Sequence, residues 1–154
     1  METKGGGSLS PRGQSGAAEI LLVEDNPLDA ELTLQALRDA GFSQIVEHVT
    51  DGEEALGCIF EPKSTPSLPR LILLDLNLGK MAGLHVLRRL KSDERTRGIP
   101  VVVLSASRLA LEVIESYKLG VNSYVMKPAD GKRFIEIVKA LGQYWLTINE
   151  TPTL

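Results

Sequence analysis

The chain has 154 residues, which is long enough for one domain with a hydrophobic core. Its formal net charge of −3 gives no excess of positive charge for binding nucleic acid or an anionic membrane. Its single cysteine, Cys58, has no internal disulfide partner, so we expect a reducing, cytoplasmic location. No apolar run approaches the roughly 18 residues of a membrane-spanning helix.

Composition changes at both ends of the chain. Residues 1–18 are rich in glycine and serine and predict a flexible leader, whereas residues 149–154 predict a short loose tail. Between them, residues 19–148 alternate strand and helix patterns five times, which indicates one folded domain. We expect no DNA-binding or enzyme domain after the last helix.

Five strands and five helices are predicted from the apolar pattern and the helix-capping residues. The predicted strands are Ile20–Val23, Ile45–Val49, Leu71–Leu74, Val101–Leu104 and Ser123–Met126. The predicted helices are Pro27–Ala40, Gly52–Phe60, Gly83–Ser92, Leu109–Leu119 and Asp130–Leu146. Short connections between such units favour a doubly wound α/β fold, with a five-stranded parallel sheet of flavodoxin-like order 2-1-3-4-5 and helices on both faces.

Acidic residues directly follow two strands that are neighbours in this order. Glu24 and Asp25 come after the first strand, and Asp75 comes after the third. Clustered carboxylates repel one another unless a cation lies among them, and Mg²⁺ prefers oxygen ligands. The pattern therefore predicts a Mg²⁺ site, to which Asn77 would add its backbone carbonyl. Taken alone, Glu24 and Asp25 fit equally well as solvated charges at a helix start.

A hydroxyl and an ammonium group complete the same edge of the predicted sheet. Ser105 follows the fourth strand and Lys127 follows the fifth. Each has a simpler explanation by itself, namely a helix cap for the serine and a solvated strand end for the lysine. Together with the carboxylates, they predict a metal-assisted site that places a phosphoryl group on Asp75. No G-x-x-x-x-G-K, G-x-G-x-x-G or G-x-S-x-G motif indicates another chemistry.

Five segments, in this order along the chain, carry a family resemblance. They are Leu21–Asn26, Leu73–Leu78, Met81–Gly83, Leu104–Ala106 and Met126–Pro128. The chain resembles the receiver domain of a bacterial two-component response regulator, in its single-domain form with the fold of the chemotaxis regulators. The resemblance covers residues 19–146, which is nearly the whole predicted domain.

The resemblance implies a role for each residue of the predicted site. Asp75 would accept a phosphoryl group from the phosphohistidine of a sensor histidine kinase, and Ser105 and Lys127 would contact that group. Tyr124 would be the aromatic switch residue, whose ring turns inward when Ser105 is drawn toward the phosphoryl group. The ligands of Mg²⁺ would be Glu24, Asp25, Asp75 and the carbonyl of Asn77.

Further details resemble single-domain regulators that pair with bacterial phytochromes. Asn26–Asp29 and Tyr144–Leu146 are two of these details, and they imply a bacteriophytochrome as the kinase partner. Two positions depart from the family pattern, since Ala82 stands where aspartate is common and Gly79 where proline is common. Neither position holds the phosphoryl group, so the departures concern the geometry of a loop.

Two surfaces are candidates for protein contacts. Apolar residues cover more than half of the first helix, so we expect Leu34 or Leu37 to be exposed for kinase docking, with a merely well-covered helix as the equal alternative. Tyr144–Leu146 adds more apolar surface than the last helix needs for its core face. It predicts a homodimer through the fourth helix, fifth strand and fifth helix, with a tail packed on its own domain as the alternative.

Two other functions fit part of the pattern. A phosphorylation-independent adaptor would keep the fold but would not need the acids, Ser105 and Lys127. A phosphatase with an aspartyl-phosphate intermediate would need an aspartate two residues after Asp75, where this chain has Asn77. The sequence therefore favours a phosphorylation-dependent switch that is no enzyme beyond catalysing its own phosphorylation and dephosphorylation.

Overall fold

The structure is a computed structural model that describes residues 18–42, 45–61, 68–79 and 81–152. The predicted leader, apart from its last residue, lies outside the described residues, as do most of the loop before the third strand and the end of the tail. None of the described helices is long and apolar enough to cross a membrane.

Five parallel strands form one sheet, as predicted. They are β1 (Ile20–Val23), β2 (Val46–Val49), β3 (Leu71–Leu74), β4 (Val101–Ser105) and β5 (Ser123–Met126). The order across the sheet is β2-β1-β3-β4-β5. Val23 of β1 pairs with both Val49 of β2 and Leu74 of β3, so the residues that follow these strands lie side by side. Compared with the prediction, β2 starts one residue later and β4 includes Ser105.

Five α-helices connect and follow the strands. They are α1 (Pro27–Asp39), α2 (Gly52–Phe60), α3 (Gly83–Ser92), α4 (Ala110–Leu119) and α5 (Gly131–Gln143). Polar side chains fix three of the helix starts. Asn26 accepts the Asp29 N–H at 3.0 Å, Asp51 accepts the Glu54 N–H at 2.8 Å, and Asp130 accepts the Lys132 N–H at 3.0 Å. These caps satisfy amide groups that a helix leaves free in its first turn.

The core lies on both faces of the sheet, because successive side chains of a strand point in opposite directions. Leu21 and Val23 of β1 belong to the core on one face, together with side chains of α2 and α3 and, at its margin, Leu119 of α4. Ile20 and Leu22 of the same strand pack on the other face against α1 and α5. All four side chains are at most 2 % exposed, which explains why the strand sequences are continuously apolar.

The packing of α1 against α5 corrects one expectation. Leu37 is fully buried between these helices, and Leu34 is half-buried in the same cluster. The prediction that one of them is exposed is therefore wrong for Leu37, because α5 covers more of α1 than a single core stripe requires. The exposed apolar side chain of α1 is instead Leu28, at 66 %.

The end of the last predicted helix also differs from the prediction. The α-helix ends at Gln143 and continues as a π-helical turn over Tyr144–Ile148, closed by the bond from the Asn149 N–H to the Tyr144 carbonyl. Leu146 is buried within this turn, and its carbonyl accepts a hydrogen bond from Arg70 at 3.2 Å. The segment Tyr144–Ile148 therefore packs on its own domain through Leu146, while Tyr144 stays 46 % exposed.

Candidate functional site

The acidic residues meet at the carboxyl edge of the two central strands. Glu24 and Asp25 leave β1, and Asp75 leaves β3 directly beside them. The Asp75 N–H donates to the Val23 carbonyl at 3.0 Å, which extends the ladder to the first residue beyond the strand. The parallel pairing of β1 with β3 is therefore what places these carboxylates together, as the predicted strand order requires.

The three carboxylates form a cluster that suits a divalent cation. One oxygen from each of Glu24, Asp25 and Asp75 lies within 4.8 Å of the others. Glu24 and Asp75 are buried, at 2 % and 6 % exposure. Burial, followed by the hydrogen bond with Asp75, raises the pKa of Glu24 to about 8. Neighbouring carboxylates repel each other when both are ionised, and a cation between them would offset this repulsion. Because all the ligand atoms offered are oxygens, the cluster fits a hard divalent metal ion.

Lys127 lies inside this cluster rather than in solvent. Its ammonium donates to Glu24 Oε1 at 2.8 Å, to Asp29 Oδ2 at 2.8 Å and to Asp75 Oδ2 at 3.3 Å. Its side chain is 6 % exposed, so the alternative of a solvated strand end is wrong. Burial lowers the pKa of Lys127, but the hydrogen bonds with Asp29 and Glu24 outweigh this effect and hold the pKa above its usual range.

Ser105 and Tyr124 are linked through the main chain of Ser107. The Ser107 N–H donates to Ser105 Oγ at 3.1 Å, and the Tyr124 hydroxyl donates to the Ser107 carbonyl at 3.1 Å. Ser105 is 1 % exposed at the end of β4, and Lys127 lies opposite it, with its N–H donating to the Ser105 carbonyl at 2.8 Å. The alternative role of Ser105 as a cap of α4 is not found, because the N-cap residue is Leu109.

The loop between β3 and α3 runs close to the acidic cluster. The Asn77 N–H donates to Asp75 Oδ1 at 3.2 Å. A Cβ on Gly83 would overlap the carbonyl oxygen of Asp75 and lie 2.5 Å from Leu76 Cα, so only glycine fits there. Gly79 has φ of +50°, whereas proline is held near −65°, which gives the departure at this position a physical reason.

These residues line an open cleft with a volume of about 730 Å³. Asp25, Asp75, Asn77, Ser105 and Lys127 all contribute to its wall, and Glu24 reaches it through its contact with Lys127. Tyr124 does not line the cleft, but its hydroxyl bonds to the carbonyl of Ser107, which does. The structure thus brings together every residue of the predicted site except the aromatic one.

Asp29, which the sequence pattern did not single out as a site residue, contacts Lys127 as closely as Glu24 does. Glu112, in the first turn of α4, also lines the cleft. Both are acidic residues in the first turn of a helix that starts at the carboxyl edge of the sheet. That position was the available signal, because a helix start at this edge faces the site.

Comparison with protein families gives a match to the response regulator receiver domain over residues 20–139. Among curated proteins, the probable methanogenesis regulatory protein FilR2 of Methanothrix harundinacea is 40 % identical over 134 residues, covering 86 % of each chain. The response regulator Rcp1 of Synechocystis is 37 % identical over 137 residues, covering 88 % of this chain and 91 % of Rcp1.

Solved structures give a similar result. The phosphorylated cyanobacterial phytochrome response regulator RcpA superposes with a TM-score of 0.83 at 40 % identity, covering 89 % of this chain and 99 % of RcpA. The Mn²⁺-bound form of the response regulator Rcp1 has a TM-score of 0.80 at 34 % identity, covering 87 % of this chain and 98 % of Rcp1.

Proposed function

The chain belongs to the response regulator receiver family and has the signalling role of a receiver in a phosphorelay, and we propose that Asp75 is its phosphoacceptor. The observation that carries this proposal is the position of Asp75, a buried carboxylate beside the ammonium of Lys127 in an open cleft. An Asp75 oxygen bonds to phosphorus while the P–N bond of a kinase phosphohistidine breaks and its electron pair returns to the imidazole.

We propose that a Mg²⁺ ion binds to Glu24, Asp25, Asp75 and the Asn77 carbonyl. The close carboxylate oxygens and the raised pKa of Glu24 support this assignment. When bound, the ion supplies positive charge that offsets the charge of the transferred phosphoryl group. Lys127 supplies a second positive charge from the end of β5, and Ser105 offers a hydroxyl donor at the end of β4.

The receiver proposed here comprises residues 19–148, flanked by the short segments 1–18 and 149–154. Its partner would be a sensor histidine kinase of the phytochrome class, since the similar structures include a phytochrome response regulator. A homodimer would form through α4, β5 and α5, since α4 and β5 expose apolar side chains. Those side chains are Leu111 (74 %), Ile114 (48 %), Tyr117 (53 %) and Met126 (36 %).

Intact mass spectrometry after incubation with acetyl phosphate and Mg²⁺ tests the phosphoacceptor. The wild-type protein should gain one phosphoryl group, and the gain should be absent without Mg²⁺ and in Asp75→Asn. Asp39→Asn is the matched control, because Asp39 is an exposed aspartate at the far end of α1 and should leave the labelling unchanged. A wild-type protein that stays unlabelled, where another receiver is labelled, would favour the phosphorylation-independent adaptor.

A further inference from the structure

The ammonium of Lys127 donates all three of its N–H groups to carboxylates, and one of these carboxylates, that of Asp29, lies outside the cluster of Glu24, Asp25 and Asp75. An ammonium group has three donors, and here they point to Glu24, Asp29 and Asp75. The contact with Asp29, at 2.8 Å, is shorter than the contact with Asp75, at 3.3 Å. The lysine is therefore held closer to α1 than to the carboxylate on which a phosphoryl group would form.

The main chain of Asp29 is fixed by its place in the first turn of α1. Its N–H donates to the Asn26 side chain at 3.0 Å, and its carbonyl accepts from the Thr33 hydroxyl at 2.8 Å. Its side chain is 26 % exposed and lines the same cleft as Asp75. The backbone of Asp29 is thus fixed, and its carboxylate faces both Lys127 and the cleft beside Asp75.

A phosphoryl group on Asp75 would compete with Asp29 in two ways. Its oxygens would compete with Asp29 for the Lys127 ammonium, which now lies nearer to Asp29 than to Asp75. It would also carry about two negative charges in place of the single charge of the Asp75 carboxylate, in a cleft that Asp29 already lines. Because Glu24 is also buried beside the lysine, Asp29 is the partner from which Lys127 can withdraw most easily, since its carboxylate is the most exposed of the three. The competition for Lys127 and the added negative charge both disfavour a phosphoryl group on Asp75 while Asp29 is present.

We propose that Asp29 is a positioning residue that holds Lys127 toward α1 and thereby opposes occupation of Asp75 by a phosphoryl group. The proposal rests on the assignment of Asp75 as the phosphoacceptor and adds an element of regulation to it. Phosphorylation then includes the release of Lys127 from Asp29, which breaks the side-chain link between the end of β5 and the start of α1. Replacing Asp29 with a neutral residue shifts the balance toward the occupied state.

The first arm of the test measures the pair without any ligand. Urea unfolding of the wild type, Asp29→Asn, Lys127→Met and the double variant gives a double-mutant cycle. The two substitutions should be non-additive by a factor of about 5 or more in the unfolding equilibrium constant. Glu31→Gln, an exposed carboxylate on the same helix, should be additive with Lys127→Met. An additive result for Asp29→Asn would mean that no such link exists and would overturn the proposal.

The second arm measures affinity for beryllofluoride at saturating Mg²⁺, with the fluoride complex as a mimic of the phosphoryl group. Asp29→Asn should bind about five- to tenfold more tightly than the wild type, whereas Asp29→Glu and Glu31→Gln should stay within about twofold. Unchanged or weaker binding by Asp29→Asn overturns the proposal. Failure of the wild type to bind at all counts against Asp75 as the phosphoacceptor, and the unfolding cycle still reports on the pair.

Discussion

Ser107 joins two side chains of the site by means of its own peptide groups. Its N–H is held by Ser105 Oγ and its carbonyl by the Tyr124 hydroxyl. If the Ser105 side chain rotates so that its oxygen moves toward a phosphoryl group on Asp75, that oxygen no longer accepts the Ser107 N–H, and the Ser107 backbone is free to move. Tyr124 then changes its surroundings, because its partner belongs to the same residue. Such differential contacts are what a phosphoryl group needs in order to shift a population.

Substitution of Ser105 tests this path at the scale of one residue. Ser105→Ala should still be labelled at Asp75, because the carboxylates and Lys127 remain in place. The change of the Tyr124 ring signals in ¹H–¹³C NMR on addition of beryllofluoride and Mg²⁺ should nevertheless be lost. Ser105→Thr keeps a hydroxyl at the same position and should preserve the change. A full Tyr124 response in Ser105→Ala would show that the signal travels by another route.

The loop between β3 and α3 illustrates what an element contributes to the site. The first residue of α3, Gly83, lies so close to the backbone of Asp75 and Leu76 that a side chain has no room there. The start of α5 has the same residue type in the same position, yet a Cβ on Gly131 would only touch Leu32 at 3.8 Å. The two glycines therefore form a natural pair for separating backbone proximity from helix propensity.

Gly83→Ala should destabilise the protein by about 3 kcal/mol, since the added methyl group meets backbone atoms that cannot rotate away. The loop must move to admit the methyl group, so labelling of Asp75 by acetyl phosphate should also slow. Gly131→Ala should leave the free energy of unfolding within about 1 kcal/mol of the wild type, on the stabilising side. Urea unfolding and timed intact mass measure the two effects. Equal stabilities for the two variants would contradict the close approach at Gly83.

The same elements show how far the sequence determines the site. Glu24, Asp75 and Lys127 were predictable because parallel strand order alone brings strand ends to one edge. The position of Asp29 in the first turn of α1 could have placed it near the site. Its contact with Lys127 could not be predicted, because that contact depends on the rotation of α1 about its axis, which is set by packing against α5.

Loop and helix-end geometry show a second limit of the sequence pattern. The positive φ of Gly79 reflects a loop path that no period in the sequence encodes. The π-helical turn after Gln143 depends on long-range contacts in the same way, through the burial of Leu146 and its bond with Arg70.

For the whole molecule, the distribution of exposed apolar side chains distinguishes one side of the domain. Leu111, Ile114 and Tyr117 are spaced three residues apart on α4, so they follow one side of that helix. Met126 is exposed on β5, which is the edge strand of the sheet next to β4. A row of apolar side chains beside an open sheet edge is a feature that proteins commonly cover with a partner. The edge could be recognised from the strand order, but the exposure could not.

If this side forms the homodimer, one charge placed within it should separate the protomers. In sedimentation velocity, the wild-type coefficient should fall on dilution, as expected for a reversible dimer. Ile114→Asp should keep the monomer value throughout, because burying an unpaired carboxylate in an apolar contact is strongly unfavourable. Leu28→Asp is the matched control, since Leu28 is 66 % exposed on α1 and should leave the dilution curve unchanged. A concentration-independent monomer value for the wild type would rule out this dimer, with or without the substitutions.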